Sequence, residues 1–77
     1  MAISAYIFVE CAAGTAKDVA GKVAQLEGVK SCHAITGPFD VIVLVESSDV
    51  RALGDFSVSE IQSIPGVIRT ETNVIID

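Results

Sequence analysis

Residues 36–46 have the sequence TGPFDVIVLVE, a turn followed by the most apolar run of the chain. Gly37 and Pro38 are turn-forming residues, because glycine supplies backbone freedom and proline fixes its own φ angle. The five apolar residues at positions 41–45 then predict a central strand, covered by neighbours on both sides. Asp40 opens this strand, and a carboxylate in that position needs a structural or a functional explanation.

Three further segments predict β-strands. In residues 2–10, alternate positions form two sets that both contain apolar side chains, as expected for a strand with two faces, while residues 29–36 and 67–76 are more polar. With the strand at residues 40–46, this pattern fits an antiparallel four-stranded sheet of order 4-1-3-2, in which the polar strands form the edges. The predicted class is therefore α+β, with the ferredoxin-like order βαββαβ.

Two helices connect these strands. The first is expected to begin at Thr15, with Asp18 three residues on as the acid of a capping box, and to end at Gly28. The second is expected to begin at a cap among residues 47–49 and to run as one helix to residues 65–66. Both helices must then lie on the same face of the sheet.

Composition limits the function classes. The 77 residues (1–77) form one domain with a net charge of −5 and five scattered basic residues, which argues against direct nucleic-acid binding. No apolar run approaches the roughly 18 residues that a membrane helix needs. The start of the chain lacks the pattern of an export signal, so a cytoplasmic location is expected.

The sheet face without helices predicts a partner. In the first strand one side carries Ile7 and Val9 and the other Tyr6 and Phe8, so either assignment of the faces leaves apolar side chains uncovered. An apolar patch of this kind on a small protein marks an interface. We therefore expect a homodimer that pairs its open sheet faces.

Two polar groupings are candidates for a binding site. Asp40 either holds its own turn through an Asx-type hydrogen bond or, with exposed amides near Gly37, forms a dipolar pocket for a zwitterion. Thr70 and Thr72 are two positions apart on a strand and face the same way. Threonine is also simply a good strand residue, and both explanations stay open.

The remaining candidate residues do not indicate a metal site, a disulfide or a catalytic site. Cys32 and His33 are neighbours on a strand and face opposite sides, so they do not share a metal ion. Cys11 and Cys32 belong to strands that are not adjacent, which argues against a disulfide. No nucleophile with a base, paired carboxylates or phosphate loop is present, so we expect no catalytic residue, metal or cofactor.

The whole chain resembles the effector-binding domain of the Lrp/AsnC regulators, also called the RAM domain. The pattern G-x-[YF]-D occurs at residues 37–40, and G-V-x-x-T-x-T occurs at residues 66–72. Further matches are Gly14, the segment at residues 26–29 and Asp49. The two patterns appear in the family's order, which is more specific than either alone.

This resemblance implies dimers that form a barrel-like α/β arrangement and assemble into rings, octamers or decamers. It implies that an amino acid or related effector binds between dimers near the turn and the last strand. The residues carried over are Gly37, Asp40, Thr70 and Thr72, with Thr36 as a neighbour. The expected function is a non-enzymatic, amino-acid-responsive module in transcriptional or metabolic regulation.

In one respect the chain departs from the resemblance: no helix-turn-helix precedes the first strand, which puts DNA binding in doubt. Such a domain is expected to act alone or together with a full-length regulator. Two alternatives share the fold. An ACT-like amino-acid-binding module would pair strands edge to edge, and a small dimeric α/β-barrel enzyme would need a pocket between sheet and helices.

Overall fold

The computed structural model describes residues 2–77, apart from the side chain at position 58. The elements in chain order are β1 (Ile3–Cys11), α1 (Ala16–Val23), β2 (Val29–Ala34), β3 (Val41–Ser47), α2 (Val50–Phe56), a π-helical turn (Ser57–Ile61) and β4 (Val67–Val74). All neighbouring strands are antiparallel, and their order is β2-β3-β1-β4. The predicted ferredoxin-like α+β fold and the central position of the two apolar strands are confirmed. None of the helices in residues 2–77 is long and apolar enough to cross a bilayer.

The helix-covered face of the sheet holds the core. Alternate residues of β1 and β3 point towards the helices and are almost fully buried: Ala5, Ile7, Val9, Val41, Val43 and Val45. The helical side contributes Val19, Val23, Leu53 and Ile61, which are buried to the same degree. Most of these side chains are β-branched, and their stiff rotamers suit a thin layer between a pleated sheet and two short helices.

The other face of the sheet, which we call the open face, carries the second alternating set. The register pairs Tyr6 with Leu44 and Phe8 with Ile42. Tyr6 is 40% exposed, and the other three are partly exposed. The structure thus decides between the two assignments that the sequence left open, and it places the aromatic set on the side without helices.

The two helix starts differ from each other. At α2, Asp49 has an extended backbone, and its carboxylate accepts a hydrogen bond from the Ala52 N–H at 2.7 Å, which confirms it as the cap. At α1, the predicted capping box is wrong. Thr15 has helical dihedral angles, and its hydroxyl instead donates to the Ala12 carbonyl at 2.7 Å, so it closes the turn before the helix.

Several element boundaries also differ from the prediction. The first helix ends at Val23, well before Gly28, and the second divides into α2 and the π-helical turn. The third strand begins after Asp40. The last strand ends at Val74, although the Ile75 N–H still donates to the Ser4 carbonyl at 2.9 Å. These differences lie at element ends, where local patterns are weakest.

Candidate functional site

The five predicted site residues lie in two places. Thr36, Gly37 and Asp40 belong to the loop between β2 and β3, and Thr70 and Thr72 lie on β4. Gly37 has a φ of +114°, a conformation that side-chain-bearing residues rarely adopt, and an added Cβ would meet no atom within 4 Å. The glycine therefore serves the turn itself rather than the close approach of another chain segment.

Asp40 is anchored to β1. Its Oδ2 accepts a hydrogen bond from the Cys11 N–H at 2.7 Å, and its own N–H donates to the Val9 carbonyl at 2.9 Å. The pairing of β1 with β3 ends at Val9 and Val41, so the Cys11 N–H lies just beyond the last pair of this ladder. Asp40 thus has a structural role, but it holds the end of a neighbouring strand and not its own turn. Its second carboxylate oxygen has no hydrogen bond within the described residues.

A cavity of about 280 Å³ borders Asp40. It lies between the loop that carries Asp40 and the start of α1, and its lining consists of Ala12, Ala13, Gly14, Ala16, Lys17 and Asp40. Four of these six residues are alanine or glycine, so the cavity has small walls and only two charged side chains. Its size is near the lower end of ordinary small-molecule pockets.

Thr70 belongs to a hydroxyl and amide cluster on the helix side of β4. Gln62 donates to the Thr70 hydroxyl oxygen at 2.9 Å, and the Ser57 hydroxyl lies 3.3 Å from it. Ser57 is buried, whereas Thr72 is exposed and makes no side-chain hydrogen bond within the described residues. Gln62 uses one of the two acceptor positions of the Thr70 hydroxyl, and the contact with Ser57 uses either its donor or its second acceptor position, so one position is left for a ligand.

Sequence reasoning missed Ser57 and Gln62. A signal for Ser57 was present, since it lies midway between Leu53 and Ile61 at a spacing of four and is therefore a polar residue within the apolar stripe of the helix. Gln62 gave no such signal. Its position depends on the π-helical turn, in which the Gln62 N–H donates to the Ser57 carbonyl at 3.0 Å.

The two groups of candidate residues lie on opposite sides of β1. The Asp40 N–H binds the Val9 carbonyl from one side, and Thr70 pairs with Val9 from the other. Neighbouring strands are about 4.8 Å apart, so the backbones at Asp40 and Thr70 are separated by roughly 9–10 Å. The structure brings Gly37 and Asp40 together, and Thr70 and Thr72 together, but one chain does not gather all four around a small ligand.

The thiols are poor candidates for chemistry. Burial raises the pKa of the Cys11 thiol above its ordinary value of 9.0, and the nearby Asp40 carboxylate raises it further. Burial also raises the pKa of Cys32, whose Sγ lies 3.4 Å from the Ala20 carbonyl. Both cysteines are free. Within residues 2–77, no group of His, Cys, Asp and Glu has the arrangement of a metal site.

Solved structures resemble the whole chain. TTHA0845 from Thermus thermophilus superposes with a TM-score of 0.91 at 31% identity, covering 97% of this chain and 94% of that one. The transcriptional regulator NMB0573 from Neisseria meningitidis, solved as a complex with L-Met, superposes with a TM-score of 0.85 at 26% identity. That alignment covers 97% of this chain and 50% of the regulator.

Sequence relatives give the family. The HTH-type transcriptional regulator LysM from Saccharolobus solfataricus is 29% identical over 59 residues, which cover 77% of this chain and 41% of LysM. The chain thus spans about two fifths of the length of the curated relatives it matches. The sequence profile described as the Lrp/AsnC ligand binding domain matches residues 4–77. This chain therefore belongs to the Lrp/AsnC family, as a ligand-binding domain of the kind that its regulators contain.

Proposed function

We propose that this domain is a non-enzymatic regulatory module that binds an amino acid, or a closely related zwitterion, and couples binding to the assembly of its own copies. The observation that carries this proposal is the state of Asp40. One carboxylate oxygen is fixed by the Cys11 N–H, the other has no hydrogen bond within the described residues, and Asp40 lines a cavity of about 280 Å³. The family match and the L-Met complex of a relative support the same ligand class.

Asp40 would receive the ammonium group of the effector. A charge-assisted hydrogen bond between these groups is stronger than a neutral one, and the anchored carboxylate loses little freedom on binding. Backbone amides near Gly37, with Thr36 beside them, would supply donors for the effector carboxylate. A zwitterion requires both an anion for its ammonium group and hydrogen-bond donors for its carboxylate.

Thr70 and Thr72 would act from a neighbouring copy. The ammonium and carboxylate of an amino acid are bonded to one carbon, whereas Asp40 and Thr70 of one chain lie on opposite sides of β1. A site that uses both groups is therefore completed between subunits. This arrangement makes effector binding and subunit assembly thermodynamically linked.

The open face would form the dimer interface. Burying several hundred Å² of its apolar surface contributes about 10 kcal/mol before the costs of association. Ion pairs border this surface, with Lys30 3.8 Å from Glu46 and Arg69 3.1 Å from Glu10. Dimers would then assemble into octameric or decameric rings in the cytoplasm, alone or together with a full-length regulator.

A ligand screen combined with a mass measurement tests this function. The protein is melted in the presence of each of the twenty amino acids, and each mixture is examined by native mass spectrometry. We expect at least one amino acid to raise the melting temperature and to shift the distribution of oligomers, and its carboxamide and N-acetyl derivatives to have much smaller effects on both. A monomer that no amino acid stabilises would contradict the proposal.

A further inference from the structure

We propose, on the basis of the amino-acid-binding function above, that Lys17 is a specificity-determining residue of the effector site. In this proposal the cavity beside Asp40 is the part of the effector site that one chain supplies, and a neighbouring copy completes it. Lys17 binds the carboxylate of the effector together with the amides near Gly37, and Asp40 binds its ammonium group. The site would therefore select zwitterions over amines and over amino-acid amides.

The first observation that supports this inference is the lining of the cavity. Lys17 and Asp40 are the charged residues among the six that line it, and they have opposite signs. The other walls are alanine and glycine, which offer no side-chain hydrogen bond to either end of a ligand. A zwitterion in this cavity would thus find one cation and one anion, and its two charges fix its orientation.

Neither Lys17 nor Asp40 has an ion-pair partner within residues 2–77. The ion pairs among residues 2–77 join Lys30 to Glu46 and Arg69 to Glu10. Lys17 and Asp40 are not within 4.0 Å of each other, although they border the same cavity. The space between them is therefore not closed by a direct salt bridge, and a ligand with both charges fits the arrangement without first breaking one.

Both sides of the cavity are held in place. The Asp40 side is fixed through Cys11, as described above. On the other side the Ala12 N–H donates to the Gly66 carbonyl at 2.7 Å, and the Ala12 carbonyl accepts from the N–H and the hydroxyl of Thr15 at 3.1 and 2.7 Å. This turn leads directly into α1 and sets the position of Lys17. Preformed walls reduce the entropy lost when a ligand binds.

The exposure of Lys17 to solvent determines the size of the expected effect. Lys17 is exposed, so its charge is partly screened by water, and its contribution is smaller than that of a buried cation. Replacing it by glutamine keeps an unbranched polar side chain and a good helix former but removes the charge. We expect affinity for the effector to fall by roughly three- to tenfold.

Isothermal titration of the parent protein, Lys17→Gln and Lys22→Gln with each of the twenty L-amino acids tests the inference. Lys22 is the matched control, because it is an exposed lysine of the same helix that does not line the cavity. For the amino acid that binds most tightly, Lys17→Gln should lose affinity while Lys22→Gln changes it less than about twofold. The carboxamide of the same amino acid should bind the parent and Lys17→Gln equally.

The outcomes separate this inference from the function on which it rests. If the parent binds an amino acid and the two lysine variants bind it equally well, the role of Lys17 is wrong and the proposed function stands. If the carboxamide also loses affinity in Lys17→Gln, the lysine does not act on the carboxylate and the inference fails. If no amino acid binds the parent, both proposals are overturned.

Discussion

The covered and the open face of the sheet are built from alternate residues of the same strands, yet they differ in size and exposure. On β1, Ile7 and Val9 are fully buried under the helices, whereas Tyr6 on the other side remains 40% exposed. The covered set is mostly β-branched, and the open set is mostly aromatic or leucine. The first set forms the hydrophobic core of one chain, and the second is suited to an interface between chains.

The largest expected effect is on the covered face. Ile7→Ala removes a fully buried side chain in the middle of the core, and we expect it to lower the free energy of unfolding by about 2–5 kcal/mol. Ile76→Ala is the matched control, since this side chain is 96% exposed. Urea titration of both variants gives the comparison. Equal losses would show that the core does not lie on the covered face.

On the open face, Leu44→Lys should act on association rather than on folding. A lysine at this position would bury an unpaired charge in the proposed interface, which should weaken the dimer by at least about 100-fold, or ~3 kcal/mol. Far-ultraviolet circular dichroism should remain unchanged. Ile68→Lys, at a position that is already 62% exposed, is the control.

Sedimentation equilibrium measures this difference. We expect a parent dimer, a dimeric Ile68→Lys variant and a monomeric Leu44→Lys variant at micromolar concentration. A parent protein that is already monomeric, or a Leu44→Lys variant that still associates with the parent's affinity, would show that the open face is not an interface.

A smaller effect concerns the thiols of the covered side. Because the folded pKa of Cys11 and of Cys32 is raised above 9.0, the unfolded chain loses these protons first as the pH increases. Their contribution to stability is therefore complete below about pH 9 and decreases above it. Urea titrations at pH 7.5 and 10.5 should show a smaller loss in the double variant Cys11→Ala and Cys32→Ala than in the parent. An equal loss in both would contradict the assignment.

The sequence predicts the order of the strands well and the faces poorly. Residues 41–45 are apolar without interruption, which is sufficient to place this strand in the centre of the sheet. For the same reason they do not indicate which face the helices cover. That choice depends on how side chains of different size fit under two short helices, which is a property of the packing and not of any one strand.

The contacts of the candidate site were harder to predict. The sequence predicts that Asp40 needs an explanation, but its partner Cys11 is 29 residues away and is available because the pairing of β1 with β3 ends at Val9 and Val41. Likewise, the sequence predicts that Thr70 faces the same side as Thr72, but it does not indicate the contacts of Thr70 with Ser57 and Gln62, which lie in and directly after the π-helical turn. Local patterns do not encode such long-range partners.

The central claim, that Asp40 binds the charged ammonium group of an effector, is tested most directly by Asp40→Asn. The asparagine side-chain oxygen can still accept from the Cys11 N–H, so the anchor is kept while the negative charge is removed. Asp49→Asn is the matched control, because this side chain also accepts one backbone hydrogen bond and lies at the start of α2.

Calorimetric titration and melting of both variants beside the parent give the result. We expect Asp40→Asn to weaken amino-acid binding by roughly 1.5–3 kcal/mol with little change in melting temperature, and Asp49→Asn to leave binding unchanged. An Asp40→Asn protein that binds with the parent's affinity but melts at a lower temperature would show that Asp40 only holds the end of β1 through the Cys11 N–H, and would contradict the account.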